Sequence, residues 1–413
     1  MNVNLIKIRE SVILALPIIL LVGLISCKRE IPEKKNSTEF FVLLYTNDEH
    51  GWMEPNLETD GAAGLVGLWK SHEGYDESDS YLILSGGDMW TGPAISTWFN
   101  GESMVEVMNA MEYDAAALGN HEFDFTVTEL NKRVEEMNFP LLSANIREKT
   151  TGNIPSFVEP YTIIDAGDVQ VGILGLSSLS TPYSTFPAYV EDYYFIPYAD
   201  AIEEFVPEMI SNGAELLIII GHICENEMES LVQVAKSYGI SIIGGGHCHQ
   251  EVARVVDGVV LIEAGAQMKA YTRVEFTFNS KEEEFILNKL EIISNTGSQA
   301  DESIENIVTY WKFHTDMALS EEIGYCSETI YKYSTAMGNL VTDSWFYTFP
   351  DADVTITNSG GIRQDIFQGS VSLESIVGLL PFNNTILELE LTGTELLDCI
   401  GSYLLLGGMT TIG

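Results

Sequence analysis

The stretch Phe40-Phe41-Val42-Leu43-Leu44-Tyr45-Thr46-Asn47-Asp48-Glu49-His50-Gly51 is a short apolar run of β propensity followed by a polar turn rich in metal donors. The same pattern recurs along the chain. Tyr81 to Ser85 (YLILS) precedes Gly87-Asp88, and Asp114 to Leu118 precedes Gly119-Asn120-His121-Glu122. Leu216 to Ile220 precedes Gly221-His222, and Ile240 to Ile243 precedes Gly246-His247-Cys248-His249. Helical stretches separate these runs: Ala62 to Glu73, Gly101 to Met111, Thr128 to Met137 and Ala199 to Asn212. Further strands are expected at Leu141 to Ala144, Val169 to Leu176 and Ile286 to Ile293, with Val259 to Glu263 and Arg273 to Phe278 as a pair at an edge. Strand, loop and helix in repetition predict an α/β sheet with helices outside. Sites in such sheets lie beyond the carboxyl ends of the strands, so all five polar turns can meet.

The donors they bring suit a pair of borderline divalent ions: Asp48, His50, Asp88, Asn120, His222, His247 and His249. A hydrolytic two-metal site needs a bridging carboxylate, capping ligands on each ion and a water held between them. Asp88 is the natural bridge, with Asp48, His50 and His249 on one ion and Asn120, His222 and His247 on the other. Alternate side chains of an extended His-X-His segment point the same way, so both histidines can reach the pair. His121 is not needed as a ligand. It is placed to hydrogen-bond a leaving or phosphoryl oxygen, with Asp124 three residues on to orient its imidazole. Of seven histidines, five fall in these motifs, and His72 and His314 read as surface or helix residues. The chemistry implied is hydrolysis of a phosphate ester. His, Asp and Asn donors leave zinc, manganese, iron and cobalt all open.

Composition narrows the partners. The chain of 413 residues has 61 acidic against 20 basic side chains, a formal charge of −41, which argues against nucleic-acid binding. An anionic substrate then needs a local cationic centre, which bound metals supply. Lys7, Arg9 and the apolar stretch Val12 to Ile25 read as a signal segment. Leu24-Ile25-Ser26-Cys27 resembles a bacterial lipobox, which implies cleavage before Cys27, its lipidation and a membrane anchor in the cell envelope. Residues 28–39 read as a tether, 40–297 as the catalytic domain, 298–322 as a linker helix and 323–413 as a second domain. Cys224 and Cys248 lie beside proposed ligands and read as small buried residues, although an exported chain can pair its cysteines.

Taken together, the motifs resemble the calcineurin-like metallophosphoesterases, and the TNDEHG and GNHEFD forms narrow this to the 5′-nucleotidase family, which also includes 2′,3′-cyclic nucleotide phosphodiesterases and UDP-sugar hydrolases. The resemblance runs from about Phe40 to the C-terminus. It implies a four-layer α/β/β/α catalytic domain and a second α+β domain that binds nucleotide. Met337-Gly338-Asn339-Leu340-Val341-Thr342-Asp343 resembles the family's GNL-x-x-D helix, and Asn358-Ser359-Gly360-Gly361-Ile362-Arg363 its NGGGIR loop. The resemblance implies that Asn358 and Arg363 contact substrate, with the Gly360-Gly361 backbone suited to an anion. Leu380-Pro381-Phe382-Asn383-Asn384 resembles the segment that offers Phe382 for stacking on the base and Asn384 for its edge.

Four features depart from the family pattern. His249 stands where some nucleotidases have Gln or Asn, closer to the wider phosphoesterase pattern. Tyr331 to Thr335 carries only Lys332 where the family often has arginine, a poorer phosphate clamp. Ser359 replaces a glycine. The chain stops at Gly413, short of the family's usual length, so the second domain is expected to be incomplete. The expected activity is hydrolysis of nucleoside 5′-monophosphates. The alternatives are cyclic-nucleotide or UDP-sugar hydrolysis at the same site and, in another class, a non-catalytic metal- or nucleotide-binding lipoprotein. Oligomeric state is left open.

Overall fold

The computed structural model describes residues 38–75, 80–405 and 410–412. The signal segment, Cys27 and all but the end of the tether lie outside the described residues. The strands of the first domain run in order β1 Thr38–Thr46, β2 Tyr81–Ser85, β3 Ala115–Ala117, β4 Leu141–Leu142, β5 Ile146–Glu148, β6 Tyr161–Ala166, β7 Val169–Leu176, β8 Tyr193–Phe195, β9 Leu216–Gly221, β10 Ile240–Gly244, β11 Glu251–Val256, β12 Val259–Ala264, β13 Ala270–Asn279 and β14 Glu284–Ser294. They build two six-stranded sheets, β14-β13-β1-β2-β3-β4 and β11-β12-β10-β9-β7-β6, beside a small β5-β8 pair. In the first, β1, β2, β3 and β4 are parallel. In the second, β7, β9, β10 and β12 are parallel.

The alternation of side chains along these strands creates the layers. Phe41, Leu43 and Tyr45 of β1 join Leu82, Leu84, Ile218, Ile220 and Ile242 in a core between the sheets. Val42, Leu44 and Ile83 face the other way, onto a core closed by helices Gly61–Leu68 and Glu102–Ala110. Leu217, Ile219 and Ile243 do the same on the second sheet, under helices Tyr198–Ser211 and Glu225–Ser237. Strands apolar on both faces need both faces covered. The result is the expected α/β/β/α stack.

Three details differ from the sequence reading. Val259 to Glu263 and Arg273 to Phe278 do not pair at an edge. β12 lies between β11 and β10, while β13 lies between β14 and β1 of the other sheet. Both are apolar hairpin strands, and local pattern does not say which sheet takes a hairpin. The helix expected over Ala62 to Glu73 ends at Leu68, and Trp69–Glu73 continues as a wider π turn closed by Gly74 at φ 77°. Cys224 and Cys248 are not separate thiols but form a disulfide.

Helix Glu302–Leu319 is an integral part of the first layer. Its Ile304, Val308 and Trp311 enter the helix-side core, and the Trp311 indole donates to Glu106 at 2.8 Å. Its far end meets the second domain, where Lys312 lies 3.3 Å from Glu374. That domain packs helix Thr335–Thr348 and helix Leu373–Leu379 around a small core of Met337, Val341, Ile362, Ile366 and Leu379.

Candidate metal centre and substrate cleft

The five donor turns all leave carboxyl ends of parallel strands, and they converge. Asp48 and His50 follow β1, Asp88 follows β2, Asn120 and His121 follow β3, His222 follows β9, and His247 and His249 follow β10. Two clusters result, in each of which the donor atoms lie within 4.8 Å of one another: Asp48 with His50 and His249, and Asp88 with His222 and His247. Asp88 belongs to the second and also approaches the first. Its Oδ2 is 2.9 Å from His222 Nε2 and 4.0 Å from the Nε2 atoms of both His50 and His121.

The backbone is bent to do this. Asp48, His50, Asp88, His247 and His249 all have positive φ, between 48° and 74°. Non-glycine residues there cost of order 1–3 kcal/mol each, and they persist where surrounding bonds over-determine them. Buried carboxylates supply much of that determination. Glu122 accepts N–H bonds from Asp88 at 3.0 Å, Met89 at 2.7 Å and Gly119 at 2.6 Å. Gly119 is required by close approach, since a Cβ there would lie 2.2 Å from Asp88 Oδ1. Glu263 accepts from the Gln250 N–H at 2.7 Å, just past His249, and Glu49 accepts from Ser85 at 2.9 Å.

Charge is distributed unevenly among the histidines. Burial and the neighbouring Arg363 hold His50 well below its ordinary range. Burial and His222 push His247 down to about 4. Burial also opposes charge on His222, but Asp88 overrides it and raises His222 to about 10. Ring nitrogens come close to one another: His50 Nε2 is 3.2 Å from His249 Nε2, and His247 Nδ1 is 3.1 Å from His222 Nε2. Asn120 donates to the Ser184 carbonyl at 3.0 Å, yet its buried Oδ1 has no hydrogen-bond partner. Facing nitrogens, buried carboxylates and an unpartnered amide oxygen are the donor set of a divalent-metal pair. The residues present therefore fit two such ions.

His121 stands at the edge of this centre. Its Nδ1 is 2.7 Å from Asp124, whose second oxygen accepts from Thr185 at 3.0 Å. Burial opposes its charged form, but Asp124 and Asp88 together raise its basicity. Above it lies a cleft of about 380 Å³ lined by Asp124, Asn358, Gly360, Gly361, Phe382 and Asn384 among others. Arg363, the only Arg or Lys among the described residues of that lining, donates to His50 Nε2 at 3.1 Å. The Phe382 ring stacks on His121, so in this arrangement it does not stand free. Lys332 does not line the cleft; its ammonium lies 4.7 Å from the Tyr333 ring centroid.

Sequence reasoning missed two groups. Glu49 and Glu122 sit inside the quoted motifs, and an acidic residue adjoining apolar strands was the available signal. The segment Ser177 to Tyr189 supplies Tyr183, Ser184, Thr185 and Phe186 to the cleft wall. It follows β7, a parallel strand whose carboxyl end reaches the same edge, so the rule that located the donors also pointed to it.

A family model described as the 5′-nucleotidase C-terminal domain matches residues 317–405. The chain is 28% identical over 414 residues to snake venom 5′-nucleotidase from Naja atra, covering 86% of this chain and 76% of that protein. It is 26% identical to Protein UshA from Escherichia coli (strain K12), covering 88% of this chain and 76% of that one. The crystal structure of a 5′-nucleotidase precursor from Thermus thermophilus shares the fold, with a TM-score of 0.75 at 23% identity over 87% of this chain and 77% of that one.

Proposed function

The chain belongs to the 5′-nucleotidase family and is a metal-dependent phosphoric ester hydrolase, and on that premise we propose that it hydrolyses nucleoside 5′-monophosphates to nucleoside and phosphate. The observation that carries this reading is the pair of donor clusters, with Asp88 of one lying 4.0 Å from His50 of the other, together with the buried, unpartnered oxygen of Asn120. Asp48, His50 and His249 would hold one ion, Asn120, His222 and His247 the other, and Asp88 both. When bound, such a pair would lower the pKa of a coordinated water and offset charge on the phosphoryl oxygens. Arg363 binds the phosphate, and its guanidinium suits a two-oxygen contact. Asn358, Gly360, Gly361, Phe382 and Asn384 orient the nucleoside. His121 delivers a hydrogen bond or proton from Nε2 to the leaving oxygen, while Asp124 holds Nδ1 and so fixes the tautomer. The catalytic domain spans residues 40–297 and the substrate domain 323–413, joined by the segment 298–322, whose helix Glu302–Leu319 packs on the first.

We also infer an exported protein anchored through lipid on Cys27, supported by the segment before it. Among the described residues no helix is long and apolar enough to cross a membrane. Mass analysis of the mature N-terminus tests this.

The test of function is product formation from AMP, UDP-glucose, 2′,3′-cyclic AMP and p-nitrophenyl phosphate after addition of manganese or zinc, with Asp88→Asn as control. Phosphate release from AMP that the control abolishes is the expected result. Turnover of only the cyclic nucleotide or the nucleotide sugar would reassign the substrate, and silence on all four despite bound metal would leave a binding protein.

A further inference from the structure

The bond between Cys224 and Cys248 lies outside the donor set but inside its scaffold. Cys224 is two residues after His222, and Cys248 separates His247 from His249. With Cα atoms 5.2 Å apart, the bridge joins the loop after β9 to the loop after β10.

The two loops are anchored unequally. His222 is held by its N–H to Leu176 at 2.8 Å, by Nδ1 against the Gly86 carbonyl at 3.0 Å, and by Asp88. Cys224 begins helix Glu225–Ser237, and its N–H donates to Glu227 at 2.9 Å. Glu227 in turn accepts from Tyr198 at 2.8 Å. The loop after β10 starts well, with Gly246 N–H on Ile223 at 3.0 Å and His247 N–H on Asp48 at 2.9 Å. Beyond His247 it emerges into solvent, to be tied down again at Gln250, whose N–H donates to Glu263 at 2.7 Å and whose carbonyl accepts from Gly265 at 2.9 Å. His249 has φ 55° and a side chain 39% exposed, whereas the other six proposed donors are buried or half-buried. A left-handed histidine on an exposed loop needs outside constraint. Gln250, bonded to Glu263 and Gly265, holds one side of it, and the bridge at the preceding residue holds the other, from a helix start that is itself fixed.

We propose that the Cys224–Cys248 disulfide is a positioning device for the metal centre, holding the loop after β10 so that His249 can complete the cluster of Asp48 and His50. The inference rests on the two-metal reading above. It predicts an asymmetric effect: without the bridge His222 and His247 keep their own anchors, while the backbone at His249 is held only from the Gln250 side.

The test uses the full chain loaded with zinc, with metal content and the rate of ion transfer to a chromophoric chelator as readouts. Native protein is compared with protein reduced by a water-soluble phosphine. The phosphine supplies two electrons to the S–S bond, and water supplies the oxygen of the phosphine oxide and the protons of the two thiols. A Cys224→Ala/Cys248→Ala variant, which has no thiol to capture an ion, is measured beside it. One ion of two is expected to leave about 10- to 100-fold faster in both, the usual effect of losing a group that orients a ligand. The other ion should leave at nearly its native rate, with far-UV circular dichroism retained. His249→Ala should give the same single fast ion, and adding the cysteine changes to it should accelerate release no further. Unchanged release, equal acceleration of both ions, additive effects with His249→Ala, or collapse of the dichroism would each overturn the proposal. Native protein that binds no zinc would overturn the two-metal reading beneath it.

Discussion

Phe382 of the second domain lies stacked on His121 of the first, with ring centroids 5.2 Å apart and planes 25° from parallel. The same ring has the Arg363 guanidinium 5.6 Å from its centroid. One apolar surface thus sits against the residue proposed to act on the leaving group and the residue proposed to bind phosphate. If it serves as a base platform, its energy belongs to the nucleoside and not to the phosphate. Base stacking on an aromatic is worth about 1–3 kcal/mol. Phe382→Ala should therefore raise KM for AMP about 10- to 100-fold, with much smaller change in kcat/KM for p-nitrophenyl phosphate. Equal losses on both substrates in steady-state kinetics would assign the ring to packing on His121 alone.

The His121–Asp124 pair makes a different prediction. Asp124 occupies Nδ1 at 2.7 Å, which leaves Nε2 facing the centre. Removing a positioned acid or base costs roughly 10²- to 10⁴-fold in rate. His121→Asn should lower kcat by that order while two ions stay bound, because His121 belongs to neither donor cluster. Asp124→Asn should lower it less, in the same direction. Metal analysis run beside the kinetics decides the matter, and full activity in His121→Asn would remove the residue from the mechanism.

Asn120 offers a test in which stability and metal affinity separate. Its Oδ1 is buried without a partner, while its amide donates to Ser184. Asn120→Ala should cost the metal-free protein only the lost amide bond, about 1 kcal/mol by chemical denaturation. Affinity for one ion should fall by about 10- to 100-fold or more, taking the loss of a mere outer partner as the lower bound. Equal affinity for both ions in competition titrations would mean that the oxygen is no ligand.

These residues also show what could be read from the chain alone. The convergence of the polar turns was legible because each follows an apolar strand, and the carboxyl-end rule depends only on strand order within α/β units. Placing β12 and β13 was not, because a hairpin's sheet is decided by contacts far away in sequence, such as Tyr45 donating to Gly245 at 2.8 Å across the two sheets. The disulfide was missed for a related reason: a separation of 24 residues carries no signal until β9 and β10 are known to be neighbours. The role of Glu122 is equally hidden in the chain, since its three N–H partners come from two different loops.

Glu122 has a measurable task. Its carboxylate takes N–H groups from Asp88, Met89 and Gly119, and burial first, then Asp88, raises its pKa to about 8. A glutamine has the same shape but presents one oxygen and one NH₂. At least one of the three buried N–H groups then faces a donor, at a cost of about 1–3 kcal/mol. Glu122→Gln should lose that much stability in denaturant above pH 8, where Glu122 is ionised, and weaken metal binding, since the loops it joins carry Asp88 and Asn120. Native stability with native metal affinity would show that the three bonds are dispensable.

At the seam between the domains, Glu54 shares a cleft with Lys312, Gln364 and Glu374. Burial raises its pKa from 4.5 to about 7, with Lys312 opposing and Glu374 and Asp316 assisting. The sign follows from linkage: a carboxyl that holds its proton more tightly when folded gives stability that falls as pH rises between about 4.5 and 7. Below that window the folded and unfolded chains are both protonated there, and above it the folded chain carries a buried charge. Glu54→Gln stays neutral throughout. Relative to wild type it should be nearly equal in stability at pH 5 and more stable at pH 8, by an amount of order 1–2 kcal/mol, since one pH unit is worth about 1.4 kcal/mol and the cleft admits some water. Denaturant midpoints for both proteins at the two pH values, taken in chelator, give the difference directly. A gap that is the same at pH 5 and pH 8 would mean that Glu54 titrates as an ordinary surface carboxylate.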